Sequence, residues 1–107
     1  IISIGYNGTP SGWDNACEES FPQHDIGVPA GITKPEVIHA EANAISKLAR
    51  SVESGLDSDI YITHAPCMNC SKLIYGSGIK NVYYREVYRK TNGIEFLNSC
   101  NIGVKQL

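Results

Sequence analysis

The sequence lacks several features that would assign it to a broad class at once. No stretch approaches the roughly 20 consecutive apolar residues that a membrane-spanning helix requires, so we expect no membrane partner. Positive charge is not in excess: 9 Lys and Arg stand against 11 Asp and Glu, for a net charge of -2, which disfavours a polynucleotide partner. Internal repeats and low-complexity tracts are also absent. The 107 residues therefore predict a single domain over 1–107 with a small core.

The sequence has four cysteines but not the pattern of a secreted disulfide scaffold. Cys67 and Cys70 have the spacing of metal ligands, whereas Cys17 and Cys100 have no patterned neighbours. We expect no signal peptide before Ile1. These features lead us to expect a reduced, cytoplasmic setting.

Three residues in two short segments predict a metal site, namely His39, Cys67 and Cys70. They are natural zinc ligands, and three protein ligands leave the fourth position that catalytic zinc keeps for water. Two cysteines at i and i+3 lie on one face of a helix, whose N-terminus favours the metal-binding thiolate. Glu41 is the candidate proton carrier. Taken alone, the cysteine pair also fits two buried small residues or a redox dithiol, and Glu41 fits an ordinary acidic first turn of a helix.

Hydrophobic periodicity predicts alternating strands and helices. The β-branched run at residues 1–5 predicts a strand cut in mid-sheet, and residues 13–36 show no sustained period and predict a long loop. We expect helices at 39 to about 54, 66 to about 75 and 93–100, and strands at 59–63, from 81 onward and at 104–107. This order predicts an α/β sheet with crossover connections. Both ligand segments fall at strand-to-helix junctions, where such sheets form their sites.

The combined pattern, His39-x-Glu41 followed by Pro66-Cys67-x-x-Cys70, is the H-x-E…P-C-x-x-C signature of zinc deaminases. Residues 5–12, GYNGTPSG, look like the G-Y-N-G-x-P-x-G segment of deoxycytidylate deaminases, and residues 39–45, HAEANAI, look like their H-A-E-x-N-A-I. Over most of residues 1 to about 90, the sequence thus resembles the cytidine and deoxycytidylate deaminase superfamily.

The resemblance implies a three-layer α/β fold with a central mixed sheet and helices on both faces. Family members carry a helix and a strand before the first of these motifs, and we expect this chain to lack both. The implied reaction is zinc-dependent hydrolysis of dCMP to dUMP and ammonia, which supplies dUMP for thymidylate synthesis. His39, Cys67 and Cys70 would hold Zn²⁺. Glu41 would protonate N3 of the cytosine ring and then help ammonia leave.

The resemblance also implies substrate contacts at Asn7, Ala40, Pro66 and Tyr88. Asn7 offers a donor and an acceptor to a sugar, although Asn-Gly is also a common turn dipeptide. Tyr88 matches a tyrosine that contacts the substrate phosphate in the family, but a half-buried aromatic residue fits the position equally well. For the nearby basic cluster of Arg85, Arg89 and Lys90, we expect solvated surface charge rather than a binding role.

Further properties of the family are permitted by the resemblance. They are a second, structural zinc with Cys17 and His24 among its ligands, assembly into a homohexamer, and regulation by dCTP and dTTP with Mg²⁺ on the triphosphate. Two alternatives stay open. One is another zinc deaminase of the superfamily, acting on a nucleoside, an RNA base or a pterin-like ring. The other is a non-catalytic structural zinc module, which would have a fourth protein ligand.

Overall fold

The computed structural model describes residues 1–9, 37–87 and 90–107. Helices and strands alternate in the order α1 (Ala40–Leu48), β1 (Asp59–His64), α2 (Met68–Gly76), β2 (Asn81–Glu86), α3 (Asn92–Ser99) and β3 (Gly103–Gln106). The predicted α/β class is confirmed. In the described ranges, no helix has the length and apolar character needed to cross a membrane. Cys17, His24 and Tyr88, which the sequence analysis singled out, lie outside the described residues.

The three strands form one parallel sheet in the order β1-β2-β3. Asp59 pairs with Asn81, which pairs in turn with Gly103. Parallel neighbours need crossover connections, and α2 and α3 supply them. The carboxyl ends of the strands therefore lie at one edge of the sheet, so the segments that follow His64 and Glu86 leave it on the same side.

The core lies between one face of this sheet and the helices. Its buried members are Ile74, Ile79, Val82, Leu97 and Ile102, and Ile45, Ile60, Ile62, Phe96, Cys100 and Val104 pack around them. Side chains alternate between the two faces of a strand, so Tyr61 and Tyr83 lie on the opposite face. There their rings stack with centroids 4.7 Å apart. Burial of Ile74 fixes α2, which carries Cys70, against the sheet.

The first helix is shorter than its sequence predicts. The periodic pattern extends to about residue 54, but α1 ends at Leu48 and Ala49 caps it. Val52, which would continue the apolar stripe, is fully exposed. A further turn would bury nothing, and a helical turn without packing is marginal in water.

Residues 1–5 form no strand in the structure, which differs from the prediction. A strand needs a neighbour that accepts and donates backbone hydrogen bonds. This segment is bound instead to α1 by side chains: Ser3 Oγ donates to the Ala44 carbonyl at 2.7 Å, and Lys47 Nζ donates to the Ile4 carbonyl at 2.7 Å. The β-branched residues thus lie beside a helix, and local periodicity could not show this.

Candidate functional site

The structure brings the three predicted metal ligands together. His39 immediately precedes α1, Cys67 is the N-cap of α2, and the buried Cys70 lies in the first turn of α2. His39 Nδ1 lies 3.4 Å from Cys70 Sγ and 3.6 Å from Cys67 Sγ. All three ligand atoms lie within 4.8 Å of one another.

This geometry fits zinc. Zinc bonds of about 2.0–2.1 Å to nitrogen and 2.3 Å to sulfur give a nitrogen-to-sulfur edge of about 3.6 Å in a tetrahedral site. The two observed separations agree with that edge, and one nitrogen with two sulfurs is a donor set that zinc prefers. Among the described residues the cluster has three such ligands, as a site with an open position requires.

The approach to Cys67 is set by the end of the sheet. The Ala65 N–H donates to the Glu86 carbonyl at 2.7 Å, which extends the β1–β2 pairing to two residues before the ligand. His64 Nε2 lies 3.3 Å from Glu86 Oε2 across the same two strands. The chain then turns through the buried Pro66, and Cys67 Sγ accepts a hydrogen bond from the Cys70 N–H at 3.4 Å. Sheet pairing and helix capping together place both sulfurs.

Glu41 lies close enough to Cys70 for its charge to act on that thiol. Burial raises the pKa of the Cys70 thiol, and the negative charges of Glu41 and Cys67 raise it further. Glu41 itself is half-buried in the first turn of α1. A divalent cation between these groups would offset the repulsion among them and favour the thiolate.

The two motifs that precede the cysteine pair are joined in space. Asn7 Oδ1 accepts a hydrogen bond from the Ala40 N–H at 2.7 Å, although 33 residues separate them. A second hydrogen bond joins the same two motifs, because Asn43 Nδ2 donates to the Tyr6 carbonyl at 3.1 Å. Asn7 thus satisfies one of the free N–H groups at the start of α1. The role found for its oxygen is to hold the turn that carries His39 and Glu41.

Two glycines allow close backbone approaches at the site. A Cβ on Gly5 would lie 2.3 Å from the Ala40 carbonyl oxygen, so only glycine lets the first segment reach α1. A Cβ on Gly93, in the first turn of α3, would lie 2.1 Å from the Pro66 carbonyl oxygen and 2.6 Å from Ser71 Oγ. Gly93 belongs to none of the sequence motifs that predict the site. A glycine inside a predicted helix lowers helix stability, so its presence there indicates that packing or function requires it.

The substrate contacts of Asn7, Ala40, Pro66 and Tyr88 stay predictions, and the structure gives only the positions of the first three. Ala40 and Pro66 lie next to the metal ligands in the chain, and Asn7 lies against Ala40. Tyr88 is outside the described residues, as are Cys17 and His24 of the possible second zinc site. The prediction for Asn43 was only that it belongs to a motif. Its hydrogen bond to Tyr6 shows why that position suits an amide.

Comparison with known proteins agrees with this geometry. Residues 1–86 match the family model described as the cytidine and deoxycytidylate deaminase zinc-binding region. A solved structure of dCMP deaminase from cyanophage S-TIM5, in complex with dCMP and dUMP, superimposes with a TM-score of 0.85 at 44% identity. That alignment covers 100% of this chain and 73% of the phage protein.

Two curated relatives give a similar result. The chain is 36% identical to ComE operon protein 2 of Bacillus subtilis, over 83% of this chain and 44% of the relative. It is 35% identical to the deoxycytidylate deaminase of Enterobacteria phage T4, over 84% of this chain and 63% of the relative. It thus spans less than two thirds of the length of either. The match over residues 1–86, which include the three metal ligands and Glu41, places the chain in the cytidine and deoxycytidylate deaminase family.

Proposed function

We propose that this chain catalyses the zinc-dependent hydrolytic deamination of dCMP, giving dUMP and ammonia. The observation that carries the proposal is the cluster of His39, Cys67 and Cys70 at tetrahedral separations, with Glu41 beside it. A module built only to hold its own fold would use a fourth protein ligand rather than an acid. The named activities of the phage T4 relative and of the cyanophage structure support the choice of substrate.

The chemistry divides between the cofactor and the chain. Zinc, when bound, would act as a Lewis acid and lower the pKa of a water molecule to about 7. Glu41 would accept a proton from that water and deliver it to N3 of the cytosine ring. It would then transfer the second proton to the departing amino group, so that the oxygen of water replaces nitrogen at C4. His39, Cys67 and Cys70 act as ligands and keep Glu41 within reach of the reacting atoms.

Substrate recognition is proposed at the positions that the resemblance implies. The Oδ1 atom of Asn7 is occupied by the Ala40 N–H, which leaves the Nδ2 donors for a sugar hydroxyl. Ala40 would then meet the base through atoms other than its N–H, and Pro66 would line the same site. Tyr88 is proposed as a phosphate contact, on the resemblance alone.

Finer properties also remain proposals. They are assembly as a homohexamer, regulation by dCTP and dTTP with Mg²⁺ on the triphosphate, a cytoplasmic location, and production of dUMP for thymidylate synthesis. A second zinc held in part by Cys17 and His24 belongs with them. The metal content of the purified protein tests that last proposal directly, since two zinc ions per chain would support it and one would contradict it.

The decisive experiment replaces Glu41 by Gln, which preserves shape while removing the proton-accepting oxygen. We expect the zinc content to stay unchanged and the turnover of dCMP to fall by about 10²–10⁴-fold, the usual contribution of a general acid–base. Glu53→Gln is the matched control, because Glu53 is exposed and lies beyond the end of α1. Zinc retention with unchanged deamination by Glu41→Gln would exclude the proposed role.

A further inference from the structure

Polar side chains join β1 to β2 at both ends of their paired region. At the start of the strands, Asn81 Nδ2 donates a hydrogen bond to Asp59 Oδ1 at 2.8 Å. At the carboxyl end, His64 and Glu86 are register partners, and His64 Nε2 lies 3.3 Å from Glu86 Oε2. The second contact adjoins the candidate metal centre, because Cys67 follows His64 by three residues.

The imidazole of His64 is held from two sides. Its Nδ1 atom lies 3.3 Å from Thr63 Oγ1, and its Nε2 atom faces the Glu86 carboxylate. A carboxylate can only accept hydrogen bonds, so Nε2 carries the hydrogen, and Nδ1 of the neutral ring accepts from the Thr63 hydroxyl. These two contacts fix both the orientation and the tautomer of the ring. The last residue of β1 is thereby tied to β2 through its side chain.

Glu86 holds the chain before Cys67 through two separate groups. Its carbonyl accepts a hydrogen bond from the Ala65 N–H at 2.7 Å, and its carboxylate contacts His64. Ala65 and Pro66 are buried, so the two residues between these anchors and Cys67 have little freedom to move. The orientation of the last strand residues therefore sets where Cys67 lies.

The two sulfur ligands differ in how they are held. Cys70 is buried within α2, whose packing against the sheet fixes it, whereas Cys67 is not buried and depends on the loop that precedes it. The side chains of His64 and Glu86 are 51% and 64% exposed. Such an exposed pair contributes little to the stability of the whole domain. Its effect is expected at the adjoining loop, and hence at Cys67 rather than at Cys70.

We propose that His64 and Glu86 are positioning residues for the metal, which together orient Cys67 and so set the affinity and geometry of the zinc site. The inference rests on the zinc centre of the proposed function. Groups that orient metal ligands from outside the coordination shell typically change metal affinity or activity by about 10- to 100-fold when they are substituted. His64 and Glu86 act through the backbone of the loop rather than on a ligand atom, so we expect an effect near the lower limit.

The test compares Glu86→Ala with Asp59→Ala, which removes the contact at the other end of the same two strands. Zinc affinity is measured by competition with a chromophoric chelator, and the visible absorption of Co²⁺-substituted protein reports the geometry of the thiolate ligands. We expect Glu86→Ala to weaken zinc binding by about tenfold and to shift the cobalt bands. Asp59→Ala should change zinc affinity by less than about twofold and leave the bands in place.

Two further variants separate positioning from a general loss of strand pairing. Glu86→Gln keeps an oxygen that can accept from His64 Nε2, so it should recover most of the zinc affinity lost in Glu86→Ala. His64→Ala removes the other half of the pair and should reproduce the loss.

Equal losses of zinc affinity in Glu86→Ala and Asp59→Ala would overturn the positioning role, because strand pairing alone would then explain them. Unchanged affinity and cobalt bands in Glu86→Ala would overturn it as well. Neither readout requires turnover. Absence of dCMP deamination by the unsubstituted, zinc-loaded protein would therefore refute the proposed function, while zinc affinity and the cobalt bands would still decide the role of His64 and Glu86.

Discussion

The hydrogen bond from the Ala40 N–H to Asn7 predicts a measurable dependence of α1 on a residue 33 positions away. Asn7→Ala removes an acceptor at the start of the helix, and loss of such a cap costs about 1 kcal/mol, within a range of about 0.5–2. For a domain of about 100 residues, this corresponds to a fall in Tm of about 4–8 °C per kcal/mol. Because α1 has no buried residue, little other packing can compensate.

Asn7→Asp distinguishes the two roles of the side chain. Aspartate keeps the oxygen that accepts from Ala40 and removes the Nδ2 donors proposed for the substrate sugar. We expect Asn7→Asp to melt above Asn7→Ala, since a carboxylate is also favoured at a helix N-terminus. It should nevertheless lose nucleotide turnover, so stability and activity would separate between the two variants.

The assays are thermal unfolding of the zinc-loaded protein by circular dichroism and deamination followed by loss of ultraviolet absorbance. Asn98→Ala, at an exposed position of α3, is the control for loss of an asparagine elsewhere. If Asn7→Ala has the same Tm as the unsubstituted protein, the hydrogen bond does not stabilise α1 and the prediction is wrong. Full activity in Asn7→Asp would remove only the substrate role.

Two further predictions concern packing and pH. Gly93→Ala would place a Cβ 2.1 Å from the Pro66 carbonyl oxygen. We therefore expect the free energy of unfolding, measured by chemical denaturation, to fall by about 1–3 kcal/mol and zinc binding to weaken. Gly76→Ala, which meets no atom within 4 Å, is the control, and equal stability of the two variants would contradict the prediction. For the metal-free protein, the raised pKa of Cys70 means that the folded state holds its proton longer than the unfolded state. The contribution of the protonated Cys70 thiol to the free energy of unfolding is then complete below the ordinary thiol pKa of about 8.5. It decreases as the pH rises beyond that value. Melting temperatures of chelated protein between about pH 7 and 10 should show this fall, and Cys70→Ser should reduce it; a flat profile for the unsubstituted chain would refute it.

Local periodicity predicted most of the fold because the later elements are short, alternating and bounded by turn residues. β1 was expected at 59–63 and extends from Asp59 to His64, and α3 was expected at 93–100 and spans Asn92–Ser99. The metal site followed from residue type and spacing, which coordination chemistry restricts tightly. These predictions needed no knowledge of distant contacts.

The remainder depends on contacts between distant residues, and no local pattern encodes those. α1 ends before Val52 because that side chain finds no packing partner and stays exposed. The conformation of residues 1–5 is set by their hydrogen bonds to α1. The acceptor role of Asn7 is of the same kind, since an Asn-Gly pair locally favours a turn. Likewise, only the register of β1 with β2 places the Glu86 carboxylate beside His64.

The candidate metal centre also bears on how α1 is attached to the domain. α2 contributes three buried residues, whereas α1 contributes none and meets the core through the half-buried Ile45. His39, directly before α1, is therefore one of few strong links available between that helix and the two cysteines of α2. Ligand bonds across this junction would stabilise the folded chain as well as set the position of Glu41, because binding energy at a site absent from the unfolded chain is folding energy. In a domain with so small a core, the same three ligands would serve catalysis and the packing of the helix that carries the catalytic acid.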